Sequence, residues 1–361
     1  MKLIIHVGLH KTGSTFLQNT MRVNYDKLIN GKLLFPKTGF VDLEQRFGEP
    51  GTSAGHDLFV KAALTHDNAF KKNLLSSLSM EIEKSNPDVV FMSAENLTNH
   101  MVGDISRNTY ELIKNIAPAR ILISLRNPYE WIESYYRDRV VSGWGFERLA
   151  LSDFIRKNEF VLNYCQIIKN WEKTFGNDNV DILIYGKKLK EKGLLNVYKN
   201  YLGIQEDLSN DNKMVNEGAS DDFVRSSLIF NQKVLPTEAA RRVLTEFKVK
   251  GYSKGFKSSF LSRDDMDFIE KKFAVYNTGL KNQKFIVGSF DELLSKPASE
   301  LKSEVRADFS TEFFNRYKMI PKTSREMVVG ILKYISGYMP IKIQVATRRL
   351  WVSFSINKYR I

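Results

Sequence analysis

Cysteine is nearly absent from the 361 residues: only Cys165 occurs, so neither an intramolecular disulfide nor a thiolate metal cluster can form. A fold needing no oxidising compartment is therefore expected. No run approaches the roughly 20 apolar residues that span a bilayer. The opening Met1–Val7 is too short for the apolar region of a secretory signal, so a cytoplasmic location is expected. Histidine is also scarce, at 6, 10, 56, 66 and 100. Only His6 and His10 are four apart, on an expected strand and its loop rather than one helix face, so no metal site is expected. Acidic residues are lacking from Met327 to Ile361, where six cations accompany Trp351, Phe354 and Tyr359. The net charge of +13 favours an anionic partner without choosing among nucleotide, glycan, nucleic acid and membrane.

Four apolar runs are present: Lys2–Val7, Asp88–Ser93, Arg120–Leu125 and Val180–Tyr185. Each precedes turn residues and then a helical pattern, which predicts buried parallel strands in a doubly wound α/β sheet flanked by helices. Asn30–Gly55 reads as loop, with Phe35–Gly39 near a cleft. Helices are expected over Ser220–Lys233, Thr237–Lys248 and Asp264–Tyr276, which makes the later part mainly helical. The expected division is a main domain over 1–320, with an α/β core to about 205 and a helical part beyond, followed by a basic aromatic tail over 321–361. Part of that tail, 327–361, reads as an amphipathic helix packed on its own domain or resting on an anionic membrane.

In doubly wound sheets, ligands bind beyond the carboxyl ends of the strands. After the first strand comes Gly8-Leu9-His10-Lys11-Thr12-Gly13-Ser14-Thr15, with a helix expected from Ser14. A strand, a tight loop and a helix start gather backbone N–H groups around an anion, and Lys11 adds a mobile cation. The nucleotide-triphosphate loop places lysine directly after its second glycine, whereas Lys11 precedes Gly13 by two. Arg120–Leu125 leads to Arg126, Asn127 and Pro128; Pro128 suits a first helical turn and puts Ser134 on the second. After the second run comes Ser93-Ala94-Glu95-Asn96.

These three stretches resemble the sulfotransferases that use 3′-phosphoadenosine 5′-phosphosulfate (PAPS), especially bacterial and Golgi-type carbohydrate sulfotransferases. The resemblance covers about residues 1–285 and implies a P-loop-like fold. It implies that His10, Lys11, Thr12, Gly13, Ser14 and Thr15 hold the 5′-phosphosulfate, with Lys11 stabilising the leaving phosphate. Arg126 and Ser134 would hold the 3′-phosphate, and Glu95 would take the acceptor's proton, with His56 and His100 as rivals for that role. The implied acceptor is a hydroxyl on a glycan or glycolipid, and no metal is implied. Gly186 stands where the family commonly has an acid after its later strand, so that acid's role does not transfer. Val215-Asn216-Glu217-Gly218 weakly resembles a polar segment of bacterial members. Other readings are a P-loop kinase or NTPase, disfavoured by the position of Lys11, and a non-catalytic protein binding nucleic acid or membrane. Nucleic acid is not expected as a partner, because residues suited to chemistry stand at all three positions.

Overall fold

The computed structural model describes residues 1–40, 55–98, 104–142, 145–209, 218–296, 307–322, 326–327 and 330–331. Six strands form one sheet: β1 (Lys2–Gly8), β2 (Leu33–Leu34), β3 (Val89–Ser93), β4 (Ala119–Arg126), β5 (Val180–Tyr185) and β6 (Phe285–Val287). Their order is β2-β3-β1-β4-β5-β6, and every neighbouring pair is parallel. The chain builds from β1 towards one edge and then crosses to β4 on the other side. The switch point thus falls between β1 and β4, where such sheets leave a crevice for ligand.

All four expected strands are present, and helices cover both faces of the sheet. The structure adds β2, inside a stretch read as loop, and β6 at the far edge. The helices used below are α1 (Ser14–Val23), α2 (Asp57–Leu64), α3 (Pro128–Val141), α4 (Leu194–Leu202), α5 (Asp221–Lys233), α6 (Glu238–Val249) and α7 (Arg263–Tyr276). The last three lie within a residue of where the sequence predicts them. His100, the segment 215–217 and nearly all of the basic tail lie outside the described residues.

Because side chains alternate along a strand, β1 supplies both halves of the core. Leu3, Ile5 and Val7 join Ile121, Ile123, Leu125, Ile182 and Ile184 in the larger cluster. Ile4 joins Phe91, Leu122 and Leu183 on the other face, beneath Leu17 and Met21 of α1. One step nearer the carboxyl end, that second face turns polar. His6 Nδ1 meets Ser93 Oγ at 2.9 Å and His6 Nε2 meets Ser124 Oγ at 2.8 Å. Tyr198 of α4 reaches Ser124 Oγ at 3.0 Å, and Gln18 of α1 donates to Ser93 Oγ at 3.0 Å. Every ring and hydroxyl in this fully buried layer has a partner, as burial of polar groups requires. Burial lowers the His6 pKa to about 4, so the ring is neutral at pH 7. The loop that follows β1 rests on this layer.

Candidate anion-binding and acid–base site

From Gly8 the chain leaves the sheet through a tight loop. Gly8 packs so closely that an added Cβ would stand 3.0 Å from Ser124 Cβ. Thr12 folds back and donates from Oγ1 to Leu9 O at 2.7 Å. Lys11 and Gly13 both have positive φ, 68° and 84°. Glycine is required at 13: besides the left-handed backbone, a Cβ would lie 2.8 Å from Leu194 Cδ2 and 3.0 Å from Tyr185 Cε2. Gly13 is also the N-cap of α1 and offers no capping side chain. The first N–H groups of α1 therefore have no cap, the arrangement that receives an anion at a helix start.

Arg126 ends β4 beside this loop. Its Nη1 donates to Lys11 O at 3.0 Å, while Nε and Nη2 donate to Glu130 Oε2 at 3.2 and 3.0 Å. Asn127 caps α3 by accepting from Tyr129 N and Glu130 N. Pro128 occupies the first turn, where its missing N–H costs nothing. Glu130, Ser134 and Asp138 recur every four residues, so they lie along one side of α3, and Arg126 meets the head of that stripe through Glu130. Lys11 touches both Arg126 and the far end of that stripe, since its Nζ donates to Asp138 Oδ1 at 2.7 Å. Ser134 falls between these contacts, half-buried, and its hydroxyl makes no hydrogen bond among the described residues. The structure thus brings Lys11 and Arg126 into contact, with Ser134 on α3 between Glu130 and Asp138.

Glu95 opens a short 3₁₀ turn, Glu95–Thr98, directly after β3. Thr98 Oγ1 donates to both Gly8 O and Glu95 O, tying this turn to the end of β1. Glu95 Oε2 accepts from His10 Nδ1 at 3.2 Å, and the Ser14 hydroxyl lies beside its carboxylate. Burial pushes its pKa up, but the His10 hydrogen bond, the neighbouring Ser14 hydroxyl and the two nearby imidazoles outweigh it and leave the carboxyl lower than usual. Burial pulls His10 down, and the bond to Glu95 with the charges of Glu95 and Asp138 outweighs it, so His10 is raised. The two form a hydrogen-bonded carboxylate–imidazole pair at the mouth of the loop.

The histidine expected among the anion-holding residues therefore turns its ring to the carboxylate. Tyr135 of α3 stacks parallel on that ring, at 5.9 Å and 4°, and Trp131 stacks on Tyr135 at 5.2 Å and 11°. Trp131 Nε1 also donates to His10 O at 2.8 Å. His56 is placed quite differently. Its Nδ1 accepts from Ser93 N at 3.0 Å and its Nε2 is 3.0 Å from Pro36 O, inside a fully enclosed pocket beside Phe35 and Phe40. Burial holds it at about 4, and no acceptor can reach it.

Two further acids lie at the site that the sequence reading did not single out. Asp138 could have been found from the four-residue recurrence after Ser134. Asp57 lies in the first turn of α2 and accepts from Asn96 Nδ2 at 3.1 Å. Burial, opposed by that bond and reinforced by Glu95, raises it to about 6. Among the described residues no cluster of His, Cys, Asp or Glu suits a metal ion, and no helix is long and apolar enough to cross a membrane.

Fold and site together define a doubly wound parallel α/β protein with a tight loop leading to an uncapped helix start, a strand-end arginine and a carboxylate–imidazole pair at its switch point. No family model matches the chain, and no curated protein matches it. Among solved structures, a sulfotransferase from Alicyclobacillus acidocaldarius aligns over 58% of this chain and 85% of its own, with 16% identity and a TM-score of 0.33. The functional reading rests on the site itself.

Proposed function

We propose that this protein is a sulfotransferase that moves a sulfuryl group from PAPS to a hydroxyl of a glycan or glycolipid, releasing 3′,5′-ADP. The supporting observation is the meeting of two anion-binding elements at Lys11, whose carbonyl holds Arg126 and whose ammonium lies on Asp138 beside Ser134. A donor with one phosphate at its 5′ end and another at its 3′ position matches two such elements in contact. The uncapped start of α1 and the hydroxyls of Thr12, Ser14 and Thr15 would hold the 5′ group. Arg126 and Ser134 would hold the 3′-phosphate, and Arg126 has a carboxylate, Glu130, to exchange for it. Lys11 would stabilise charge developing on the departing phosphate, and Glu95 with His10 forms the acid–base element.

ATP lacks a 3′-phosphate, so selectivity is the test. Calorimetric titration is expected to show 3′,5′-ADP binding at least tenfold more tightly than ATP. Arg126→Ala removes charge-assisted bonds worth about 1.5–3 kcal/mol each. It should therefore weaken 3′,5′-ADP by roughly 10- to 100-fold while leaving 5′-AMP nearly unchanged. Preference for ATP, or equal loss for both ligands, would refute the proposal.

A further inference from the structure

We infer that the acceptor hydroxyl gives its proton to His10 Nε2, and that Glu95 is a positioning residue that holds the imidazole for that task. This deepens the sulfotransferase reading and rests on it. Glu95 is poorly suited to take the proton itself, because its carboxylate already accepts from His10 Nδ1 and has the Ser14 hydroxyl beside it. Those groups are what lower its basicity. The imidazole is complementary. With Nδ1–H committed to Glu95, the neutral ring carries its free lone pair on Nε2, the tautomer logic of a base oriented by a carboxylate.

The geometry separates His10 from the other described histidines of the interior. His6 and His56 use both ring nitrogens within the protein and are fully buried. His10 uses one; Nε2 makes no hydrogen bond among the described residues, and 34% of the side chain is accessible. The ring is nevertheless fixed. Glu95 holds one edge, Tyr135 covers a face and Trp131 pins its carbonyl. His10 also immediately precedes Lys11, so the proton acceptor and the cation for the leaving phosphate are neighbours on one loop.

The charged groups around the ring come from four elements. Glu95 and Asp138 favour its protonated form and Lys11 opposes it. Asp57 interacts with it from α2, and Arg139 lies 5.7 Å from the centre of Tyr135, behind the stack. In the step proposed, the hydroxyl O–H bond breaks and its proton bonds to Nε2. The hydroxyl oxygen forms a bond to sulfur as the bond between sulfur and the bridging phosphate oxygen breaks. That electron pair stays on 3′,5′-ADP, facing Lys11, and the products are a sulfate ester and an imidazolium paired with Glu95.

Water can serve as the acceptor probe, with labelled sulfate release from PAPS followed against pH. The wild-type rate is expected to rise through one ionisation above pH 6.5. Glu95→Gln should keep an ionisation, moved to lower pH because a stabilising negative charge is gone, at a rate about 10- to 100-fold lower. His10→Asn should lose the ionisation and at least about 100-fold in rate. Both variants should bind 3′,5′-ADP within about fivefold of wild type. An ionisation that survives in His10→Asn and disappears in Glu95→Gln would overturn the inference and return the proton to Glu95. Nitrogen-15 spectra of the imidazoles, with His10 identified by its loss in His10→Asn, supply a readout free of turnover: neutral His10 must carry its proton on Nδ1. A proton on Nε2 would overturn the inference. A wild type that binds ATP and not 3′,5′-ADP would instead overturn the sulfotransferase reading.

Discussion

At the scale of single residues, the ion pair between Lys11 and Asp138 is the clearest case of one contact with two uses. Their side chains are 35% and 40% accessible, so water screens the pair and its share of stability is about 0–1 kcal/mol. Its effect falls on the ligand instead. Asp138 holds the ammonium along α3, and an incoming phosphate must draw Lys11 from it while facing a second negative charge. Asp138→Asn removes both obstacles. We expect 3′,5′-ADP to bind about 3- to 10-fold more tightly to this variant in a calorimetric titration, with thermal unfolding unchanged within a degree or so. Weaker binding would show that Asp138 orients Lys11 for the anion rather than competing with it.

At the scale of elements, α3 is the part whose placement matters most, because it carries Ser134, Tyr135 and Asp138 and begins two residues after Arg126. Its position is set largely by Asn127, which is buried. The side-chain oxygen caps α3, and Nδ2 donates to Glu292 O at 3.0 Å and Ser295 O at 2.7 Å. Asn127→Ala would uncap the helix, at about 1 kcal/mol, and leave carbonyls without their donor, at about 1–3 kcal/mol. A loss of roughly 2–4 kcal/mol in urea unfolding is expected, with weaker binding of 3′,5′-ADP. Full stability would mean that Arg137 alone fixes the helix, through Glu133, Asp221 and Ser258 O.

The sequence shows which elements can be read without coordinates. β1, β3, β4 and β5 are legible because each is buried on both faces and so reads as a continuous apolar run. β2 and β6 are edge strands of two and three residues, too short for a pattern, and only their pairing with β3 and β5 defines them. The same rule sorts the site. Lys11 and Glu95 stand just after strands and Arg126 ends one, where a doubly wound sheet gathers its chemistry, so their gathering at one edge of the sheet was foreseeable. Asp57 is brought beside Asn96 by hydrogen bonds between His56 and Ser93, a long-range contact that spacing does not announce. The orientation of His10 towards Glu95 was hidden for the same reason, since it depends on a stack supplied by α3.

At the scale of the whole molecule, the polar groups beneath and beside the loop make the fold sensitive to acid. His6 and His56 stay neutral down to about pH 4 in the folded protein. In the unfolded chain they take up protons near pH 6.5. Between those values the unfolded state binds more protons, so stability falls as the pH falls, by about 3 kcal/mol for each histidine across the whole window. Asp57 acts in the opposite sense. Its carboxyl is protonated near pH 6 when folded and only near 3.8 when unfolded, so folding gains as the pH falls through that interval. Glu95, held low, adds to the loss as the pH falls through its folded value, while raised His10 favours folding at low pH, so this pair partly cancels. Two fully buried histidines against one partly exposed carboxyl leave a net loss of about 3 kcal/mol between pH 7 and 4.5. Urea unfolding at a series of pH values should show this decline begin near pH 6.5. A flat profile down to pH 5 would mean that the unfolded chain does not take up those protons, or that the interior accepts them. Because His6 lies under the Gly8–Thr15 loop, 3′,5′-ADP affinity should fail over the same interval as the fold, not before it.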